Sequence, residues 1–327
     1  MGEHDQLFKR AFRVPEHAAG ELRAVLPPEL AEALDFDSVE LLPGDWVGER
    51  LDERFSDALF RVKFRGTPGY LLVLLEHLSE PDHFTAFRAL EYFVRSWSEL
   101  LRHEPTRKKL PPFVCVVVHH GELRWRSPTR LHDVIESIDS VAGLSALVPN
   151  FEIVMDDLVS QSDEALKARS FGTFPRVVLW ALRDVRTIAR FYEHLGAWVG
   201  ELTRLIEESH ADAVTVMRYI IGVGGYEPFE RVLKEVEDAA PQADTIMATV
   251  SELIQRRWAE GKAEGIAEGK AEGMAQAVLA VLGARGVVVS EEERARVLSC
   301  RDHHVLGRWL RSATTVASTR ELLSIEC

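Results

Sequence analysis

The chain has 327 residues, 46% hydrophobic and 28% charged, with a formal net charge of −13. That length predicts more than one folded region, and no apolar run approaches the ~20 residues that a bilayer-spanning helix needs. The charge disfavours unspecific, high-affinity binding to nucleic acid, where phosphate neutralisation supplies most of the attraction, but leaves room for an enzyme that meets DNA through one local basic face.

The N-terminus, MGEHDQLFKRAFRV, is charged and lacks a signal-peptide core. Cys115, Cys300 and Cys327 form no C-x-x-C pair and read as reduced thiols of a cytoplasmic protein. Asp5 to about Arg23 reads as one helix, with Phe8, Phe12 and Leu22 near one apolar side and Pro27-Pro28 as its stop. Phe36 to Val47 alternates loosely, as a strand would. Asp57 to Phe64 alternates clearly, with Ala58, Phe60, Val62 and Phe64 on one side, and RGTPG follows as a turn. Tyr70 to His77 is a near-continuous apolar strand. After SEPD comes a helix capped by Ser79 or Asp82, with Phe84, Phe87, Leu90 and Val94 at helical spacing. Phe113 to Val118 reads as a buried strand, and Phe151 to Met155 as one more.

This order predicts a mixed α/β core over residues 1–160. A helical extension follows over 161–250, with helical spacing in Ala181 to Ser209 and Ala213 to Ile221. Residues 251–327 hold the repeat AEGKAEGIAEGKAEGMA and three short helices. Ser290 with Glu293 and Ser318 with Glu321 have the spacing of capping boxes.

The strand from Leu71 ends by placing Glu76 beside His77 and Leu78. If Gly66 lies opposite Gly69 in the preceding turn, Leu59 faces Glu76 and Asp57 faces Leu78. Asp57 and Glu76 are then diagonal neighbours on one face, roughly 5–8 Å apart at Cβ. Two carboxylates at that separation can hold one divalent cation. Oxygen ligation with open positions suits magnesium, which keeps several waters and takes one or two carboxylates plus substrate phosphate. The residues alone favour a plainer reading: Arg61 is also diagonal to Glu76, and the two would make an ion pair.

Other signals are weaker. HHGEL at His119 lacks the second histidine of a zinc-protease motif and reads as a strand end and turn. GVGG at Gly222 lacks the glycine spacing of a dinucleotide site. TRKKL, Thr106 to Leu110, is a candidate phosphate contact, although a solvated loop is the favoured reading.

The blocks HDQLFKRAF, LPPEL, DFDSVELLPGDWVGERLDERFSDALFRV, LLEHLSEPD, FRALEYFVRSW, LPPFVCVVVHHGELRW and VPNFEIVMDDL occur in that order over residues 4–160. In this order they resemble the recombination-promoting nuclease family, also labelled YhgA-like putative transposases, of the PD-(D/E)XK superfamily. The resemblance implies a restriction-endonuclease-like αβββαβ core and a DNA endonuclease that uses Mg2+, for which Mn2+ can substitute. It implies that Asp57 and Glu76 bind the metal. The family pattern after the glutamate is E-H-Q-S, whereas this chain reads Glu76-His77-Leu78-Ser79. Leucine neither donates nor accepts a hydrogen bond, so a polar helper has to come from Arg88, Arg61 or Lys9, or be absent. The expected function is therefore a metal-dependent DNA endonuclease promoting recombination. The alternative is a catalytically decayed, oligomeric member that binds DNA or protein.

In the repeat, Gly261, Gly265, Gly269 and Gly273 form one i+4 column, and Glu260, Glu264, Glu268 and Glu272 the next. Each glycine costs a helix about 1 kcal/mol relative to alanine, and the glutamates repel one another. A partner helix on the small-residue columns would compensate, which predicts a homo-oligomer formed through residues 255–282. A flexible linker is the other reading.

Overall fold

The computed structural model describes residues 2–43, 58–240, 252 and 269–324, divided into two units, residues 1–250 and 251–327. In the first, a five-stranded mixed sheet has the order β1-β2-β3-β4-β5. Strands β1 (Leu34–Leu41), β2 (Ala58–Phe64) and β3 (Tyr70–Leu78) are antiparallel neighbours. Strands β4 (Phe113–His119) and β5 (Val154–Asp157) continue the sheet in parallel. A parallel neighbour needs a crossover, and helix α4 (Thr85–His103) supplies it between β3 and β4.

The segment of α4 contains no glycine or proline. Its buried positions, among them Ala86, Ala89, Tyr92, Phe93 and Leu100, recur at helical spacing. The helix ends at His103, because Glu104 precedes Pro105 and the residue before a proline is driven out of the helical region. Its apolar face packs on Leu59, Leu72, Leu74, Cys115 and Val117. A fully buried side chain the size of Phe93 contributes about 1.5–3 kcal/mol. The other face of the sheet carries Phe60, Val62, Val73, Leu75 and Val116, all without solvent exposure. Phe8 stacks on His77 at 4.7 Å on this second face.

The N-terminal helix is divided where one helix was expected. Helix α1 spans Glu3–Phe12 and α2 spans Pro15–Val25. Pro15 has no N–H to donate to the carbonyl four residues back. The His17 ring donates to that carbonyl instead, Nδ1 to Ala11 O at 2.7 Å. Pro28 does not merely stop a helix, since it opens α3 (Pro28–Ala33) at its first position. Helix α4 is capped by neither Ser79 nor Asp82, because its N-cap is Phe84. The Asp82 carboxylate instead accepts the Phe84 N–H at 2.8 Å. Strand β5 begins at Val154, three residues later than expected, because residues 151–153 hydrogen-bond to residues 129–131.

Helices α5 (Asp163–Lys167), α6 (Thr173–Asp184), α7 (Ile188–Glu208), α8 (His210–Tyr219) and α9 (Tyr226–Ala239) complete the first unit. Helix α6 is buried along almost its whole length, and its Trp180 stacks on Trp198 at 5.6 Å and Phe191 at 5.5 Å. The continuous helix expected from Ala181 to Ser209 is broken between α6 and α7. The break lies beside an ion network in which Arg183 holds Asp163 and Asp184.

A second network ties the helices to the sheet. Arg169 donates to Glu21 on α2 at 2.6 Å and to both oxygens of Asp156 on β5 at 2.8 Å. All three side chains are buried. Burial pushes the Glu21 carboxyl up to about 8, against the pull of Arg169. Neutral Glu21 therefore leaves Arg169 to balance Asp156.

In the second unit, residues 269–284 form α10, followed by α11 (Glu291–Ser299), α12 (His303–Ser312) and α13 (Thr319–Leu323). Ala271, Ala275, Val278 and Leu282 of α10 join Trp309 and Leu306 in one core. Ser290 and Glu293 form a complete capping box. Ser318 caps α13, but the Glu321 carboxylate turns to the Ala317 N–H. Most of the repeat lies outside the described residues. Among the described residues no helix is long and apolar enough to cross a membrane.

Replacing Arg169 leaves Asp156 buried without its counter-charge. Arg169→Met should lose about 3–5 kcal/mol of stability in urea unfolding at neutral pH. Glu21 titrates higher folded than unfolded, so the folded state holds the extra proton and stability falls as pH rises from the ordinary carboxylate range to about 8. Glu21→Gln should flatten that decline, as read from unfolding midpoints across the same pH window.

Candidate active site

The β2–β3 hairpin has a longer loop than the expected one. Gly66 and Gly69 both have positive φ, +64° and +122°, and the Phe64 N–H donates to Gly69 O. The loop therefore holds four residues, and Ala58 pairs with Leu75 and Leu59 with Leu74. The expected pairing of Leu59 with Glu76 is displaced by two residues. An even displacement keeps every side chain on its own face, so Glu76 and Leu78 share a face with Leu59 and Arg61. Asp57 lies outside the described residues.

Glu76 is only 6% exposed. It faces α4, where Leu78, Arg88, Tyr92, Cys115 and Val117 help to enclose a cavity of about 20 Å³ with it. A space of that size holds about one water or a body of similar size. Burial, with the nearby Glu76 charge, pushes the Cys115 thiol well up. Arg88 reaches this cavity from the first turn of α4 and also pairs with Asp82. Burial lowers its pKa, while Tyr92, Glu91 and Glu76 act in the opposite direction.

Of the other candidate helpers, Arg61 pairs with Glu40 on β1 at 2.5 Å, and Lys9 with Asp5 at 2.9 Å. The Arg61–Glu40 contact follows from their opposed positions in the β1–β2 pair. Arg107 in the basic TRKKL stretch is a brace, donating to Tyr70 OH, Glu104 and Lys109 O.

His77 points to the opposite face and stacks on His120 at 5.4 Å. His120 in turn meets His4, which shares a 2.7 Å hydrogen bond with Tyr219. Burial pushes His4 down to about 4, with Arg186 and His77 acting in the same direction. His119 is a strand end, as its sequence context suggests, but it also has a partner that the sequence does not announce. It ends β4 directly opposite Leu78, and its Nδ1 donates to Asp157 on β5 at 2.8 Å. The alternation Cys115, Val117, His119 is the signal for its facing, readable once β3 and β4 are known to pair in this register.

Glu76 is the kind of oxygen ligand that magnesium takes, but the cavity beside it has room for about one water, so a hydrated ion there would need space beyond this cavity, and the second expected carboxylate, Asp57, lies outside the described residues. Among the described residues, one group of three potential metal ligands clusters elsewhere: Asp163, Asp184 and His194. Arg183 Nη2 contacts all three, so a guanidinium stands where a cation would.

The family model described as "Putative transposase, YhgA-like" matches residues 2–212. The chain belongs to this family. Its sheet, site and α6–α7 helices all fall within the matched span. The recombination-promoting nuclease RpnD of Escherichia coli O157:H7 is 29% identical over 253 residues, covering 77% of this chain and 93% of the relative. RpnC of E. coli K12, also named a recombination-promoting nuclease, is 36% identical over 119 residues, 36% of this chain and 39% of the relative. The "inactive recombination-promoting nuclease-like protein RpnE" of K12 is 24% identical over 277 residues, 80% of this chain and 86% of the relative. No solved structure matches the chain.

Gly121 closes the end of β4. A Cβ there would lie 2.5 Å from His119 Nε2 and 3.0 Å from Ser79 O. Gly121→Ala should therefore displace His119 or the end of β3 and cost about 1–3 kcal/mol in chemical unfolding.

Proposed function

We propose that the chain is a cytoplasmic, magnesium-dependent DNA endonuclease of the PD-(D/E)XK type that acts in recombination. Asp57 and Glu76 would hold the metal, and manganese would serve in its place. The observation that carries this reading is the buried Glu76 carboxylate facing a water-sized cavity beside Arg88, in a chain whose relatives include named nucleases. A metal held by Asp57 and Glu76 would supply Lewis-acid stabilisation of the phosphate and lower the pKa of a bound water. Arg88 places a positive charge where a phosphate oxygen gains negative charge. Leu78 offers no hydrogen bond to a water at its side of the cavity, so the attacking water is held by fewer groups than the family pattern provides. In this reading copies of the chain associate through residues 255–282. Gly269 and Gly273 are exposed, and a Cβ added at either would meet nothing within 4 Å, which leaves that side of α10 open to close approach.

A second reading has its own support. Leu78 removes the expected polar group, and one relative of similar length coverage is named inactive. The chain would then be an oligomeric binding member of the family that holds DNA or protein without cutting.

A plasmid-nicking assay with magnesium, manganese or chelator separates the two. Under the nuclease reading, wild type nicks only with metal, Asp57→Ala loses the activity, and Arg88→Ala loses about 10²–10³-fold. Leu78→Gln should gain rate, up to a similar factor. Silence from wild type with cutting by Leu78→Gln would establish a decayed site on an intact scaffold. Silence from both would remove the nuclease reading.

A further inference from the structure

A wide groove opens beside the Glu76 cavity. It has a volume of about 700 Å³, and Phe84, at the N-cap of α4, and Phe87, on α4, form one wall while Leu131 and Ile135 contribute to the other. Arg88 lines both the groove and the cavity, and Asp82 stands with it at the groove. Phe84 and Phe87 are 52% and 47% exposed. Phe87 lies in the first turn after the Phe84 N-cap, and both line this one groove. The facing wall is braced: His132 N–H donates to Asn150 Oδ1 at 3.1 Å, and Leu131 N–H to Phe151 O at 3.1 Å. The His83 ring meets Phe84 edge-on at 5.1 Å. The groove is thus a built feature, with two phenyl rings held half in water.

We infer that this groove receives unpaired bases of the DNA strand whose phosphate lies at Glu76 and Arg88. The inference rests on the nuclease reading and names its substrate class: DNA with unstacked bases, such as a single strand, a bulge or a branch. Two observations point to bases. First, the groove starts at Arg88, so a strand with a phosphate there has its neighbouring bases within reach of the phenyl rings. Second, the chain carries a net charge of −13, which works against long-range attraction to phosphate and raises the share of affinity left to contacts that need no charge. Stacking on aromatic rings supplies affinity without net charge and accepts any base. In a paired duplex the base faces are already stacked on one another and closed to the groove.

The test is binding of the full chain to labelled DNA in the presence of chelator, read by fluorescence anisotropy. Three probes are compared: a single strand, the fully paired duplex of the same sequence, and that duplex with an unpaired bulge. Wild type should bind the single strand and the bulge about tenfold or more tighter than the paired duplex, with a shallow salt dependence. Phe84→Ala combined with Phe87→Ala should bring the ratio near one. Phe84→Tyr combined with Phe87→Tyr should keep it, which separates lost stacking from lost folding. Equal binding of all three probes by wild type overturns the inference, as does an alanine variant that keeps the preference. So does an alanine variant whose only change is a smaller oligomer by ultracentrifugation, since the groove would then seat a second copy. Preference without cutting in magnesium fails the nuclease reading alone, and cutting without preference fails this inference alone.

Discussion

Strand β3 is covered on both faces, and the first unit is arranged around that constraint. A strand with neighbours on both edges and layers above and below must be apolar nearly throughout, and Leu71 to Leu75 meet that demand. The parallel partner β4 forces a crossover, which lays α4 across one face. The antiparallel partner β2 and helix α1 close the remaining sides. Within this apolar setting Glu76 is the exception. A buried carboxylate is costly unless something compensates for it, and the strand carries it at the end where α4 brings Arg88 close.

The sheet was legible in the sequence because its strands are short apolar or alternating runs between clear turn signals. The order helix, three strands, helix, strand follows from those runs alone. The hairpin register was not legible. RGTPG allows a two-residue or a four-residue loop, and the positive φ at Gly66 and Gly69 decides between them. The common face of Glu76 and Leu78 survived because the displacement was even. The break at Pro15 was visible as a residue but outweighed by the apolar spacing of Phe8, Phe12 and Leu22. The His119–Asp157 pair depends on the β4–β5 register and on the long, mostly irregular stretch of chain between the two strands, which no local pattern encodes. Block resemblance, rather than periodicity, raised Asp57 and Glu76 above an ordinary acid pair.

The helices after the sheet also grip the loops that close the site. Arg186 donates to Ser79 O, just beyond β3, and Arg190 to Glu122 O, just beyond β4. Both arginines come shortly after α6 ends. The stacked rings of Phe8, His77 and His120 extend this contact across the second face of the sheet, ending at His4 and Tyr219. The position of Glu76 is thus fixed from three directions: by its own strand, by α4, and by helices far along the chain. The family match, which runs to residue 212, takes in the helices that make the arginine contacts.

The union of Glu21, Arg169 and Asp156 has a consequence for how such a sequence can drift. Glu21 and Arg169 lie 148 positions apart, yet an apolar residue at Arg169 alone leaves Asp156 and Glu21 buried without their donor, and one at Asp156 alone leaves Arg169 buried without its counter-charge. An apolar triple replacement of similar volume would be tolerated far better than any single step toward it. The three sites therefore form one heritable unit with a valley around it. Lineages on either side of that valley would keep the same fold while carrying residues that are mutually incompatible when recombined.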